Sequence, residues 1–303
     1  MKKLIILLFV ALGINTLVVF AEPIISQSDT IPFTIKGSRI YFLGLINKKH
    51  EVEIQFDLGA GGSCVNKNSS DKLQLSFDGE TMLSNTQGVN KARTSSNNKL
   101  VLGNMKWENV GIVEVGNMQP HEDIIIGNSL FRDKVLEIDY DNRIMIVHDQ
   151  LPEKAKLFNK HKVLYEQHRP KFKVDFIHNG EKFSHWFFFD TGREGTMVIG
   201  EDFTQIADNW EKLKELTMLN ERKIVHLDVI ISSYEFKDVV TNATDPAKPT
   251  GRPTLLGNQV LSQFNVILDN LNSYLYLKPN SRIGSPYSHY SKYEEEMAKI
   301  SKK

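Results

Sequence analysis

At 303 residues the chain is longer than a minimal domain and divides most simply into two units. Lys plus Arg and Asp plus Glu both number 37, so no net charge draws it toward nucleic acid or an anionic membrane surface. Cys64 is the single cysteine, which excludes an internal disulfide and leaves stability to the core.

The first 21 residues read as a secretory leader: Lys2 and Lys3, an apolar run over 4–20, and Ala21 at the cleavage position. The run is short and interrupted by Gly13, Asn15 and Thr16, so we expect removal rather than a retained anchor, export to a periplasm or the exterior, and no stable membrane insertion afterwards. From residue 31 short β-branched or alternating runs follow at 31–35, 40–46, 52–56, 110–115 and 144–147, separated by Gly, Asn and Asp clusters, which predicts an all-β architecture. Helical periodicity is predicted at 201–219, within 151–166 and in the charged tail 290–303. The Lys- and His-rich stretch 151–170 reads as a connector, dividing the chain into 22–150, 171–279 and a tail from 280 to 303.

Two segments repeat. Phe56-Asp57-Leu58-Gly59 matches Phe189-Asp190-Thr191-Gly192, with the aspartates 133 positions apart. Downstream, Ile125-Ile126-Gly127-Asn128 matches Leu255-Leu256-Gly257-Asn258, followed by Asp139 and Asn142 against Asp269 and Asn272, all 130 positions apart. One Asp-Xaa-Gly turn is commonplace, whereas two with the same downstream signature indicate duplication. Each aspartate ends an apolar strand. If the units pack about an approximate two-fold axis, the carboxyls meet and share one proton, leaving one base to activate water and one acid to polarise a carbonyl.

These motifs resemble the aspartic peptidases, combining the two lobes of pepsin-like enzymes with retropepsin-like local sequence, in an exported, bacterial-type member; the likeness spans about residues 31–279. The resemblance implies two homologous β-barrel lobes with an interlobe cleft. It gives Asp57 and Asp190 as catalytic residues, with Leu58, Gly59, Ala60, Thr191 and Gly192 supporting the turns and the contact between lobes. It implies a flap hairpin over about 81–102 containing Gly88, an extended polypeptide as substrate or ligand, and no cofactor or metal. No His-Glu-Xaa-Xaa-His spacing suggests zinc, and Asp139 to Asn142 reads as a hairpin turn rather than a calcium loop.

Two positions depart from the pattern. Leu58 stands where the family has Thr or Ser, so half of a reciprocal tie between the turns is missing. Arg193 is unusual; close to the pair it would lower the carboxyl pKa, and the simpler expectation turns it outward to Glu194 or solvent. An outward Arg193 favours an endopeptidase, and one pointed into the cleft favours a catalytically inactive peptide- or protein-binding module. Cys64 is expected to be a buried apolar filler.

Overall fold

The computed structural model describes residues 28–85, 88–220 and 222–300; the segment expected as a leader and residues 301–303 of the tail lie outside them. Short strands follow from the sequence locally. In the strand Arg169–His178 the polar Lys171, Lys173 and Asp175 alternate with Phe172, Val174 and Phe176, and only the latter three are fully buried, as the two-residue repeat of a strand requires. The described chain is mostly β, in two sheets. No described helix is long and apolar enough to cross a membrane.

The eight-stranded sheet belongs to the first half. Thr34–Lys36, Arg39–Ile46 and His50–Phe56 lead to a central Ile124–Ile126, then Ser63–Asn66, Met105–Val115, Gly88–Leu102 and Gly79–Asn85. The larger sheet begins with Ser28–Pro32, Ile144–His148 and Val135–Asp139 from the first half. It crosses to Phe264–Asp269, Tyr274–Pro279 and Asn159–Glu166, then continues through Arg169–His178 and Glu181–Phe189 to Leu255–Leu256.

The crossing point carries the symmetry of the repeat. Val135–Asp139 pairs antiparallel with Phe264–Asp269, placing Leu136 opposite Leu268, Glu137 opposite Ile267 and Ile138 opposite Val266. Because the copies are 130 positions apart, Glu137 faces its own counterpart, and an approximate two-fold axis passes between these residues. The flanking hairpins turn alike. Asn142 donates its backbone and side-chain N–H to the Asp139 carboxylate at 3.0 and 2.8 Å, and Asn272 does the same to Asp269 at 3.0 and 2.9 Å. Both Asp-to-Asn segments are therefore hairpin turns. Asn128 and Asn270 exchange amide hydrogen bonds of 2.8 and 3.1 Å across the halves.

The helical expectations need correction. Only Glu153–Leu157 of the 151–166 stretch is helical, as a single 3-10 turn. Asn159–Glu166 is a strand, held between Arg169–His178 and Tyr274–Pro279, and this pairing overrides its weak helical periodicity. The 201–219 stretch breaks into Glu201–Thr204, Asn209–Lys212 and a strand Thr217–Leu219, while the tail forms the helix Tyr290–Ile300.

Candidate active site

Each aspartate is delivered by the same local construction. The strand His50–Phe56 runs parallel to Ile124–Ile126, and the Asp57 amide donates to Ile126 O at 2.9 Å. In the second copy Glu181–Phe189 runs parallel to Leu255–Leu256, and the Asp190 amide donates to Leu256 O at 3.1 Å. Parallel neighbours cannot be joined by a tight hairpin, so each downstream strand returns from far along the chain to thread beside its aspartate turn. It threads closely: a Cβ at Gly127 would overlap Ala60 O, and one at Gly257 would overlap Gly195 O, which accounts for the glycine after each apolar pair.

The two turns meet. Asp57 Oδ1 accepts from the amides of Gly59 at 2.7 Å and Gly192 at 3.1 Å, and the Gly192 amide also donates to Asp190 Oδ1 at 3.0 Å. The carboxyls are close enough to each other that their charges interact directly. A side chain on either glycine would collide with the opposite carboxyl: a Cβ at Gly59 would lie 2.6 Å from Asp190 Cγ. Solvent reaches part of each aspartate, but the carboxyls are packed among protein atoms. Burial and the Asp190 charge push Asp57 up to about 8 against the pull of the glycine amides. Burial also raises Asp190, opposed by the Arg193 charge and by the Gly192 amide. Both carboxyls are raised by the same burial and proximity, so the pair titrates as a unit.

One hydroxyl locks the halves together. Thr191 Oγ1 accepts from the Leu58 amide at 2.9 Å and donates to Phe56 O at 3.0 Å. The side chain of Leu58 is fully buried in the core and offers no reciprocal hydroxyl, so the tie is one-sided, as its sequence predicts. Asn258 Nδ2 steadies the second turn by donating to Thr191 O at 2.5 Å.

A family model described as aspartyl protease matches residues 43–130. The matched segment contains Asp57, both strands of the 79–102 hairpin and Ile125-Ile126-Gly127, and it supports kinship with the aspartic peptidases. No curated protein matches the chain.

The meeting carboxyls lie in a cleft of about 1110 Å³ lined by both halves. Thr81, Met82 and Leu83 of the hairpin Gly79–Asn85 and Gly88–Leu102 face it, so the segment expected as a flap borders the cleft; Gly88 sits at its turn, paired with Asn85. Ala60 lines the same cavity. Arg193 does not turn to Glu194, which instead lies 3.8 Å from Arg39. It lines the cleft close enough to Asp190 for mutual attraction. The expected fall in carboxyl pKa does not follow, since burial outweighs the guanidinium. Cys64 is half-buried on the cleft wall rather than in the core, and burial with the Asp57 charge pushes its thiol up to about 12, leaving it protonated and unreactive.

Sequence reading missed a supporting group. Arg39 Nε donates to Gly192 O at 2.7 Å, and its guanidinium meets the buried Glu122 at 3.3 Å; Tyr41 donates to the same carboxylate at 2.6 Å. The signal was present in the repeat, because Arg39 and Arg169 are also 130 positions apart and both line the cleft. Among the described residues no three His, Cys, Asp or Glu side chains gather as a metal site.

Proposed function

We propose that the chain is a two-lobed aspartic endopeptidase of pepsin-like plan, acting outside the cytoplasm on extended polypeptide. The observation that carries this reading is the meeting of two carboxyls, one from each half, that both accept from the Gly192 amide at 3.1 and 3.0 Å. The leader-like N-terminus supports action after export.

In the proposed reaction a water held between the carboxyls gives a proton to Asp190 as its oxygen bonds to the scissile carbonyl carbon. The Asp57 proton passes to the carbonyl oxygen, forming a tetrahedral diol. The nitrogen then takes the proton from Asp190, the C–N bond breaks, and a diol proton returns to the pair. The backbone amides of Gly59 and Gly192 hold the carboxyls in place through these transfers. Thr81, Met82 and Leu83 offer strand edges and side chains to an extended substrate.

Digestion of a diverse peptide mixture across pH 3 to 9 tests this reading. Cleavage is expected to persist to near neutrality and to fall as Asp57 ionises near pH 8, because the reaction needs one proton on the pair. Asp190→Asn should lower the rate by about 10² to 10⁴-fold or more. Absence of cleavage at every pH by a folded protein rejects hydrolysis. The position of Arg193 favours a second reading, a peptide-binding module without catalysis, since a guanidinium facing the cleft beside Asp190 opposes the proton that hydrolysis needs on the pair. Peptide binding without cleavage, unaffected by Asp190→Asn, is the outcome that reading requires.

A further inference from the structure

The second-half wall of the cleft carries more positive charge than the neighbouring Asp190 can match. Arg193 and Arg252 both line it, and Arg222 lies near enough to repel both. Among the described residues, none of the three forms an ion pair with Asp or Glu, and Arg193 Nε is buried without a hydrogen-bond partner. Like charges gathered on one wall repel, and an anion bound in the cleft would lower that cost.

The acids that could neutralise the cluster are committed elsewhere. Glu194 is beside Arg39, and Glu166 holds Arg169 at 2.8 Å and Lys171 at 2.6 Å. Glu201 accepts from the Thr250 amide and hydroxyl and from the Gly251 amide, while Asp202 accepts from the Thr254 amide at 2.8 Å and hydroxyl at 2.7 Å. These two carboxylates pin both sides of Arg252, so the loop that presents it is held in position rather than neutralised. Asp190 attracts Arg193, but it is committed to the Gly192 amide.

We propose that Arg193 and Arg252 form a subsite for an acidic side chain, Asp or Glu, of the polypeptide in the cleft. This rests on the endopeptidase reading. The Arg193 amide donates to Asp190 O at 3.5 Å, closing a turn whose ends lie within about 7 Å, and an extended peptide advances about 3.3 Å per residue, so the recognised acid stands within about two residues of the cleaved bond. A carboxylate there takes bidentate hydrogen bonds from guanidinium and relieves the repulsion among the arginines.

The test uses the full-length mature protein and matched peptides carrying Glu or Gln at each position up to three residues from the cleaved bond, at pH 6 where Glu is ionised. At one position within two residues of that bond, Glu should raise kcat/KM by about 10-fold or more over Gln, and the preference should shrink between 0.05 and 0.5 M salt. Arg252→Gln should bring the ratio within about 3-fold of unity while thermal unfolding stays unchanged. Ratios at or below unity at every position, or a preference that survives Arg252→Gln, overturn the subsite. If no peptide is cleaved, hydrolysis fails separately and calorimetry on the same peptides decides the subsite: tighter binding of a Glu peptide that Arg252→Gln abolishes supports it, and equal or weaker binding overturns it.

Discussion

A single hydroxyl, Thr191 Oγ1, bridges two turns that lie 133 positions apart in the chain. Thr191→Val would leave the Leu58 amide and Phe56 carbonyl unpaired in the interior, at about 2 to 4 kcal/mol, and chemical denaturation should show that loss. Leu58→Thr would supply the missing hydroxyl at the expense of packing, about 1 kcal/mol gained against about 1 to 3 lost, so the net change should be destabilising. Asp57 makes the opposite demand on stability. Its folded pKa is raised, so the folded state holds a proton that the unfolded chain has released, and stability falls as pH rises from about 4 toward 8. Asp57→Asn keeps the shape and removes that burden. We expect a rise of about 2 to 6 °C in the unfolding midpoint at pH 7 that shrinks toward zero at pH 4, read by scanning calorimetry. Both aspartates and Thr191 were legible because the repeat marks them. Arg193 was legible as an anomaly, but that it lines the cleft beside Asp190 depends on tertiary packing that sequence does not display.

At the level of elements, short alternating runs announced their strands, since burial on one face of a sheet leaves a two-residue signature. Asn159–Glu166 did not announce itself. Its partners are Arg169–His178, just beyond it, and Tyr274–Pro279, over a hundred residues downstream, and such distant pairing leaves no local pattern. The central pair Val135–Asp139 and Phe264–Asp269 carries a buried charge at the symmetry axis: Glu137 meets His148 at 3.0 Å and Lys154 at 2.5 Å. Burial opposes ionisation of Glu137, but the hydrogen bonds from His148 and Lys154 prevail and hold its pKa below the usual value. The stability it contributes is therefore complete above its ordinary pKa and lost as pH falls through the depressed one. Glu137→Gln should cost about 1 to 3 kcal/mol at pH 7, and the gap from the native protein should close below about pH 4 in urea titrations.

Over the whole molecule, six strands of one sheet come equally from the two halves, and the buried apolar cluster runs through both. The cleft, the paired carboxyls and the arginine wall exist only where those halves meet. By itself the sequence determined the strand content, the duplication, the identity of the paired aspartates and the one-sided character of the tie, because these depend on residue types and spacing that recur along the chain. Only the tertiary structure decided that burial raises both carboxyls, where Arg193 points, and that Arg39, Glu122 and Arg252 border the same space. Those properties arise from burial and from charges brought together across long stretches of chain, and electrostatic strength depends on distance and solvent exclusion rather than on position in the sequence.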